Sequence, residues 1–178
     1  MSKNIKSEIL EWIKTLTISA TLAFGLTLVV QPTIVDGQSM YPTLENKDYI
    51  IVNKLAYNTN VPSRGDILVF KTDLVDEKTN QKKNLIKRVI ALPGEHIVIK
   101  NNNIYINNKY LDETYIDNVY TDGDIDLVVP KNHIFTMGDN REFSGDSKNE
   151  EIGTISLDNI IGKASFRAFP FNKLGTLE

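Results

Sequence analysis

Two hydrophobic patterns divide the chain. From Thr15 to Val35 runs a stretch of 21 residues without a charge, carrying Leu16, Ile18, Leu22, Phe24, Leu26 and Leu28 to Val30. A helix of that length rises about 1.5 Å per residue and covers about 31 Å, close to the roughly 30 Å hydrocarbon core of a bilayer. Five threonines and Ser19 dilute the stretch. Inside a helix, however, their hydroxyls bond the carbonyl one turn back, which lowers the burial cost. A core helix with one face in water would carry a stronger polar stripe than threonine provides. A cleavable export signal fits poorly, because its apolar part is only about 7–15 residues long. The one small-x-small candidate, Thr21-Leu22-Ala23, lies inside the run. The pattern predicts a cytoplasmic tail over 1–14, an uncleaved transmembrane anchor over 15–35 and a separate domain over 36–178.

Beyond the anchor the period shortens. Apolar, β-branched runs appear at 49–52, 67–70, 85–92, 97–99, 104–106, 127–129, 134–137 and 160–169, each the length of a strand. Turn chemistry separates them: Ser63-Arg64-Gly65-Asp66, Pro93-Gly94, Asn101-Asn102-Asn103, Asn107-Asn108 and Asp122-Gly123. Ile97 and Ile99, then Ile104 and Ile106, alternate about an asparagine turn and predict a hairpin. The fold class is mainly β: antiparallel sheets in a coiled barrel or sandwich, preceded by one transmembrane helix. Residues 72–83, rich in Lys, Asp, Asn and Thr, read as an exposed loop, and 108–126 as a small irregular insertion.

Charge orients this layout. Lys3, Lys6 and Lys14 stand against Glu8 and Glu11 before the apolar run, whereas Asp36, Glu45 and Asp48 outnumber Lys47 after it. By the positive-inside rule the amino terminus stays in the cytoplasm and 36–178 faces outward, with Trp12 at the inner interface. Composition then narrows the chemistry. The 178 residues hold 20 Lys+Arg against 23 Asp+Glu, so the basic footprint of a nucleic-acid binder is missing. There is no cysteine and there are only two histidines. Disulfides, thiolate metal sites and cysteine nucleophiles are excluded, and no cofactor or metal is expected. An exported domain without disulfides needs a proper core.

Three segments carry the candidate chemistry. Asp36-Gly37-Gln38-Ser39-Met40-Tyr41-Pro42-Thr43-Leu44 follows the anchor; alone, a serine among Gly and Pro is an ordinary turn residue. Ile86-Lys87-Arg88-Val89-Ile90-Ala91-Leu92-Pro93-Gly94-Glu95 sets two cations inside an apolar strand. A solvent-facing charge beside an ion-paired one would explain them. Alternation, however, places Lys87 with Leu85, Val89 and Ala91, and an apolar setting lowers a lysine pKa. Near the usual value of about 10.4 only about 0.04% of lysine is neutral at pH 7, whereas at about 8 roughly 10% is. Such a lysine can serve as a general base, and guanidinium cannot. His96 and His133, the rival bases, stand at turn edges. The third segment, Met137 to Lys148, follows a strand and concentrates Asp139, Arg141, Ser144, Asp146 and Ser147; its acidic spacing lacks the density of a calcium loop.

Together with Arg64-Gly65-Asp66-Ile67-Leu68-Val69-Phe70, these segments resemble the type I signal peptidases in their bacterial single-span form. The ordered motifs cover nearly the whole chain. The resemblance implies a serine endopeptidase of the bacterial cell membrane that cleaves signal peptides from exported precursor proteins, using a Ser/Lys dyad on a β-rich fold. Carried over by motif, Ser39 is the nucleophile and Lys87 the base. Ser144 corresponds to the serine that orients the lysine, and Asp146 to a nearby structural carboxylate. Asp139, Arg141 and Arg88 would form an ion-paired frame holding the third segment against the lysine strand. Met40, Ile34 and Val35 are candidates for a substrate pocket or lipid-facing surface.

Two positions depart from the family pattern. Gly37 replaces a serine that in some members helps bind the oxyanion, which leaves the Ser39 N–H as the known donor. Lys148 replaces an arginine and loses its bidentate fork. Two other classes stay open on sequence: a Ser/Lys self-cleaving repressor, which would need an amino-terminal DNA-binding helix pair, and a non-enzymatic anchored β-domain that binds an extracellular ligand.

Overall fold

The computed structural model describes residues 5–76, 79–116 and 120–177. Lys3, Glu178 and residues 117–119 of the expected insertion lie outside the described residues. In chain order the elements are α1 (Ile5–Val29), β1 (Val30–Ile34), β2 (Tyr49–Asn53), β3 (Ile67–Val75), β4 (Lys82–Ala91), β5 (His96–Lys100), β6 (Asn103–Ile106), β7 (Lys109–Tyr110), β8 (Ile125–Val128), β9 (His133–Met137), β10 (Ile155–Ser156), β11 (Ile160–Phe169) and β12 (Gly175–Thr176). The molecule is mainly antiparallel sheet behind one apolar helix, as the pattern predicted.

The helix begins earlier and ends earlier than the expected 15–35. Its segment Ser7–Val29, with mean hydropathy 1.4, is long and apolar enough to cross a membrane, and none of it packs inside the protein. That exposure removes the core-helix reading. Thr15, Thr17, Thr21 and Thr27 each donate to a carbonyl one turn back, as the threonine-rich composition requires. The helix stops at Val29, shortly before Pro32, which cannot continue it. Val30 to Ile34 pair residue by residue with Asn53 to Tyr49, so the last part of the expected anchor is an edge strand. Lys54 fastens the junction, donating from its backbone to the Val29 carbonyl at 2.9 Å and from Nζ to the Thr27 carbonyl at 3.1 Å. These are helix-end carbonyls that have no partner within the helix.

The larger sheet runs in the order β1-β2-β11-β3-β4-β9-β10, with β12 paired to β11. A smaller sheet, β7-β6-β5-β8, carries the predicted asparagine-turn hairpin. Residues 72–83 are not the expected loop throughout: β3 continues to Val75 and β4 starts at Lys82. Three apolar clusters hold the layers. Ile67 and Val69 point from β3 into a core with Met40, Leu44, Ile50 and Val52. Leu68 and Phe70 point the other way, toward Val89, Ile134 and Ile155, so β3 is buried on both faces. Ile97, Ile99, Ile104 and Ile106 join Ile90, Phe135 and Met137 and dock the small sheet on the large one. Gly162 lets β11 approach β2; a Cβ there would stand 2.4 Å from the Asn53 carbonyl oxygen.

Candidate active site

Each of the three chemistry-bearing segments is positioned by a strand. The first is the loop from β1 to β2, anchored by Met40 and Leu44, which are 1% and 0% exposed. The second lies on β4 and the third follows β9. The three converge. Lys87 Nζ donates to Ser39 Oγ at 2.6 Å and to its neighbour's carbonyl, Ile86 O, at 3.0 Å. Lys87 is 2% exposed. Burial pushes its pKa down from 10.5 to about 8, against the opposing pull of the Asp146 and Asp139 charges.

The third segment clasps the first. Asn140 donates its backbone N–H to the Ser39 carbonyl at 3.1 Å and its side-chain Nδ2 to the Gln38 carbonyl at 3.0 Å. A side chain at Gly138 could not exist: its Cβ would lie 2.3 Å from Ser39 O and 2.2 Å from Ser144 Oγ. Asp146 is fully buried and accepts from the Gly138 and Lys148 backbones at 3.0 and 3.1 Å. Ser144 is placed beside the dyad, yet its buried hydroxyl has no hydrogen-bond partner. The expected bond from Ser144 to Lys87 is therefore not made; the lysine takes the Ile86 carbonyl instead.

The expected ion-paired frame is split in two. Arg88 grips Asp139 with both prongs, at 2.9 and 2.7 Å, and donates to the Gly65 carbonyl at 2.8 Å. Arg141 does not join that pair. Its guanidinium holds Glu113 with two prongs, Nη1 donating to Oε2 at 2.6 Å and Nη2 to Oε1, and donates to Thr121 Oγ1 at 2.9 Å, while its Nε donates to Gly138 O at 3.1 Å. Glu113 stabilises the guanidinium and raises the Arg141 pKa, although burial opposes this. Tyr115, next to Glu113 in the same strip, presents its ring to Arg88 at 4.0 Å. Sequence reasoning passed over Glu113 and Tyr115 as an insertion; a carboxylate and an aromatic among polar residues gave no signal until the fold supplied their partners. Lys148 spans Asp122 Oδ1 at 2.8 Å and the Arg141 carbonyl at 3.2 Å, two single contacts in place of a fork.

A cleft of ≈ 260 Å³ opens beside Ser39 and Lys87. Ile34 and Val35 form one side and Asn84 to Ile86 of β4 the other, with Met40 at its base. All three predicted pocket residues line it, but Met40 and Val35 are buried, at 1% and 4% exposure, which leaves only Ile34 outward, at 48%. Among the described residues, β1 pairs with β2 alone, and β4 meets β9 only from Arg88 to Ala91. Both cleft walls thus carry unpaired backbone. The two histidines lie elsewhere: His96 contacts Asp126 at 2.7 Å and His133 faces the Lys131 carbonyl at 3.2 Å.

Comparison with known proteins gives the family. A family model described as signal peptidase, peptidase S26, matches residues 9–169. Signal peptidase I P of Bacillus subtilis subsp. natto is 36% identical over 97% of this chain and 95% of its own. Signal peptidase IB of Staphylococcus aureus (strain COL) is 33% identical over 95% of this chain and 94% of its own. A crystal structure of a signal peptidase I from Enterococcus faecalis V583 superposes with a TM-score of 0.47 at 27% identity, covering 58% of this chain and 97% of that one. With that match along most of its length and relatives above 30% identity from end to end, the chain belongs to the signal peptidase family, peptidase S26, and is a hydrolase of the serine endopeptidase class.

Proposed function

We propose that the chain cleaves signal peptides from exported precursors through a Ser39–Lys87 dyad, while anchored in the cell membrane by α1. The 2.6 Å contact between Lys87 Nζ and Ser39 Oγ, made by a lysine that burial brings to about 8, carries the mechanism. In its neutral form the amine takes the Ser39 proton as Oγ attacks the scissile carbonyl carbon. The tetrahedral adduct places negative charge on oxygen, within reach of the Ser39 N–H. Its collapse breaks the C–N bond, and the proton passes from Lys87 to the leaving amine. Water then attacks the acyl-enzyme, losing a proton to Lys87; collapse of this second adduct breaks the acyl C–Oγ bond, releases the carboxyl product and returns the proton from Lys87 to Ser39 Oγ.

The cleft supports an extended substrate. Two unpaired edges, β1 and the Asn84–Lys87 part of β4, face the same space, so a peptide laid between them can pair with backbone and present alternate side chains to the pocket. Small residues near the cut suit its apolar base. Lys3, Lys6 and Lys14 before the apolar run keep the amino terminus in the cytoplasm in this reading, with the β-rich part outside. The rigid junction at Val29–Val30 then sets the height of Ser39 above the bilayer, where a substrate's own apolar segment ends.

The experiment is precursor processing by Ser39→Ala, Lys87→Ala and Lys87→Arg. All three are expected to be inactive. Arginine keeps the charge but cannot release its proton, so substantial activity in Lys87→Arg overturns the base assignment. Lys82→Ala and Lys83→Ala, whose partners are Asp73 and Asp76 away from the cleft, retain near-normal activity.

A further inference from the structure

Glu113, Tyr115 and Thr121 reach two buried cations of the site, Arg141 on the 137–148 loop and Arg88 on β4. Arg141 is 1% exposed and is held on its outer side by Glu113, whose side chain is 10% exposed, and by Thr121. On its inner side it holds the carbonyl of Gly138, the residue with no room between itself and Ser39 or Ser144. Arg88, which fixes Asp139, lies against the Tyr115 ring, and the Tyr115 hydroxyl donates to Glu113. Glu113 therefore ties Arg141 of the loop directly, and Arg88 of β4 through the Tyr115 ring, to the segment that follows β7. This arrangement is costly if idle, because a buried guanidinium left without its carboxylate is strongly destabilising.

We propose that Glu113, steadied by Tyr115, is a positioning residue for catalysis: through Arg141 and Gly138 it holds the 137–148 loop closed over Ser39 and Lys87. The proposal rests on the Ser39–Lys87 mechanism. Its consequence follows from what surrounds Lys87. The charged groups there are Asp139 and Asp146 on the loop, Arg88 on its own strand and Asp36 across the cleft, with Leu68 opposite on β3. Burial is the largest influence on the lysine, and the loop, packed through Gly138 against Ser39, forms part of its cover. A loosened loop admits water, and the lysine moves back toward its ordinary range.

The test is the pH dependence of kcat/KM for a soluble peptide in Glu113→Gln and in the doubly neutral Glu113→Gln/Arg141→Met, which leaves no buried charge unpaired. Both variants are expected to shift the lysine limb upward by about one pH unit, which corresponds to about tenfold less neutral amine below the limb. Activity then recovers at high pH. The double variant, which also removes the Arg141 Nε bond to the Gly138 carbonyl, should move the limb at least as far as the single one. Asp126→Asn, on β8 beside His96, should leave the limb in place. A merely structural role scales the profile by the folded fraction at every pH, so an unmoved limb in the double variant overturns the proposal. A limb moving downward also overturns it, since that is the direct electrostatic effect of removing a carboxylate. If the wild-type limb lies near 6.5, the lysine mechanism itself fails and the positioning role fails with it.

Discussion

Lys87 is where burial and function pull against each other. Its pKa falls from 10.5 in the open chain to about 8 in the folded protein, so between these values the unfolded chain binds more protons. Stability therefore rises with pH across that window. A depression of this size is worth about 3 kcal/mol. Chemical denaturation of the wild type and Lys87→Met should show the difference: the variant is more stable by about that amount near pH 7, and the gap closes toward pH 10.5. A constant gap across this range would mean that the lysine is not desolvated. Gly138 is under a different constraint, of space rather than charge. The methyl of Gly138→Ala would stand 2.3 Å from the Ser39 carbonyl oxygen, which is backbone and can yield only by carrying Ser39 with it. Displacing the nucleophile by about an ångström is expected to cost about 100-fold in kcat, measurable with the same peptide under conditions where circular dichroism shows the fold retained.

At the scale of elements, the site is a strand, β4, caught between two loops, and a buried Arg88–Asp139 pair locks the strand to the one that follows β9. Arg88→Met leaves Asp139, 1% exposed, without its counter-charge and is expected to cost about 3–5 kcal/mol. Arg88→Met/Asp139→Leu should recover much of that loss in a thermal melt, because the penalty belongs to the orphaned charge. Strands that bury an alternating or continuous apolar face were legible: 97–99, 104–106, 134–137 and 160–169 all fall within β5, β6, β9 and β11. The short strands β7, β10 and β12 were not, since two residues carry no period and form only against a neighbour already in place. Composition also concealed β1. Val30-Gln31-Pro32-Thr33-Ile34 continues the uncharged run without a break, and only its pairing with β2 distinguishes sheet from helix there. The meeting of Ser39 and Lys87 was legible in motif and alternation. Glu113 was not, because its role is defined by Arg141, 28 residues on.

For the whole molecule, the position of β1 decides where the catalytic part begins. The expected boundary at residue 36 would make the anchor and the peptidase separable at Asp36. In the structure that cut removes Val30 to Ile34 from the edge of the large sheet, takes away Val35 from the core around Met40, and opens the cleft on its Ile34 side. A cut before Val30 instead leaves every strand in place, since Lys54 is the described backbone and side-chain tie to the helix end. The form spanning 30–178 is therefore expected to fold and to cleave a soluble peptide at close to the full-length rate. The form spanning 36–178 should lose most of that activity even where circular dichroism still reports sheet. Against a membrane-inserted precursor both forms should fall well below the full chain, because the shared bilayer no longer raises the local concentration of substrate. Equal peptide cleavage by the 30–178 and 36–178 forms would show that β1 is no wall of the substrate cleft. Loss in both would place part of the catalytic fold inside the helix itself.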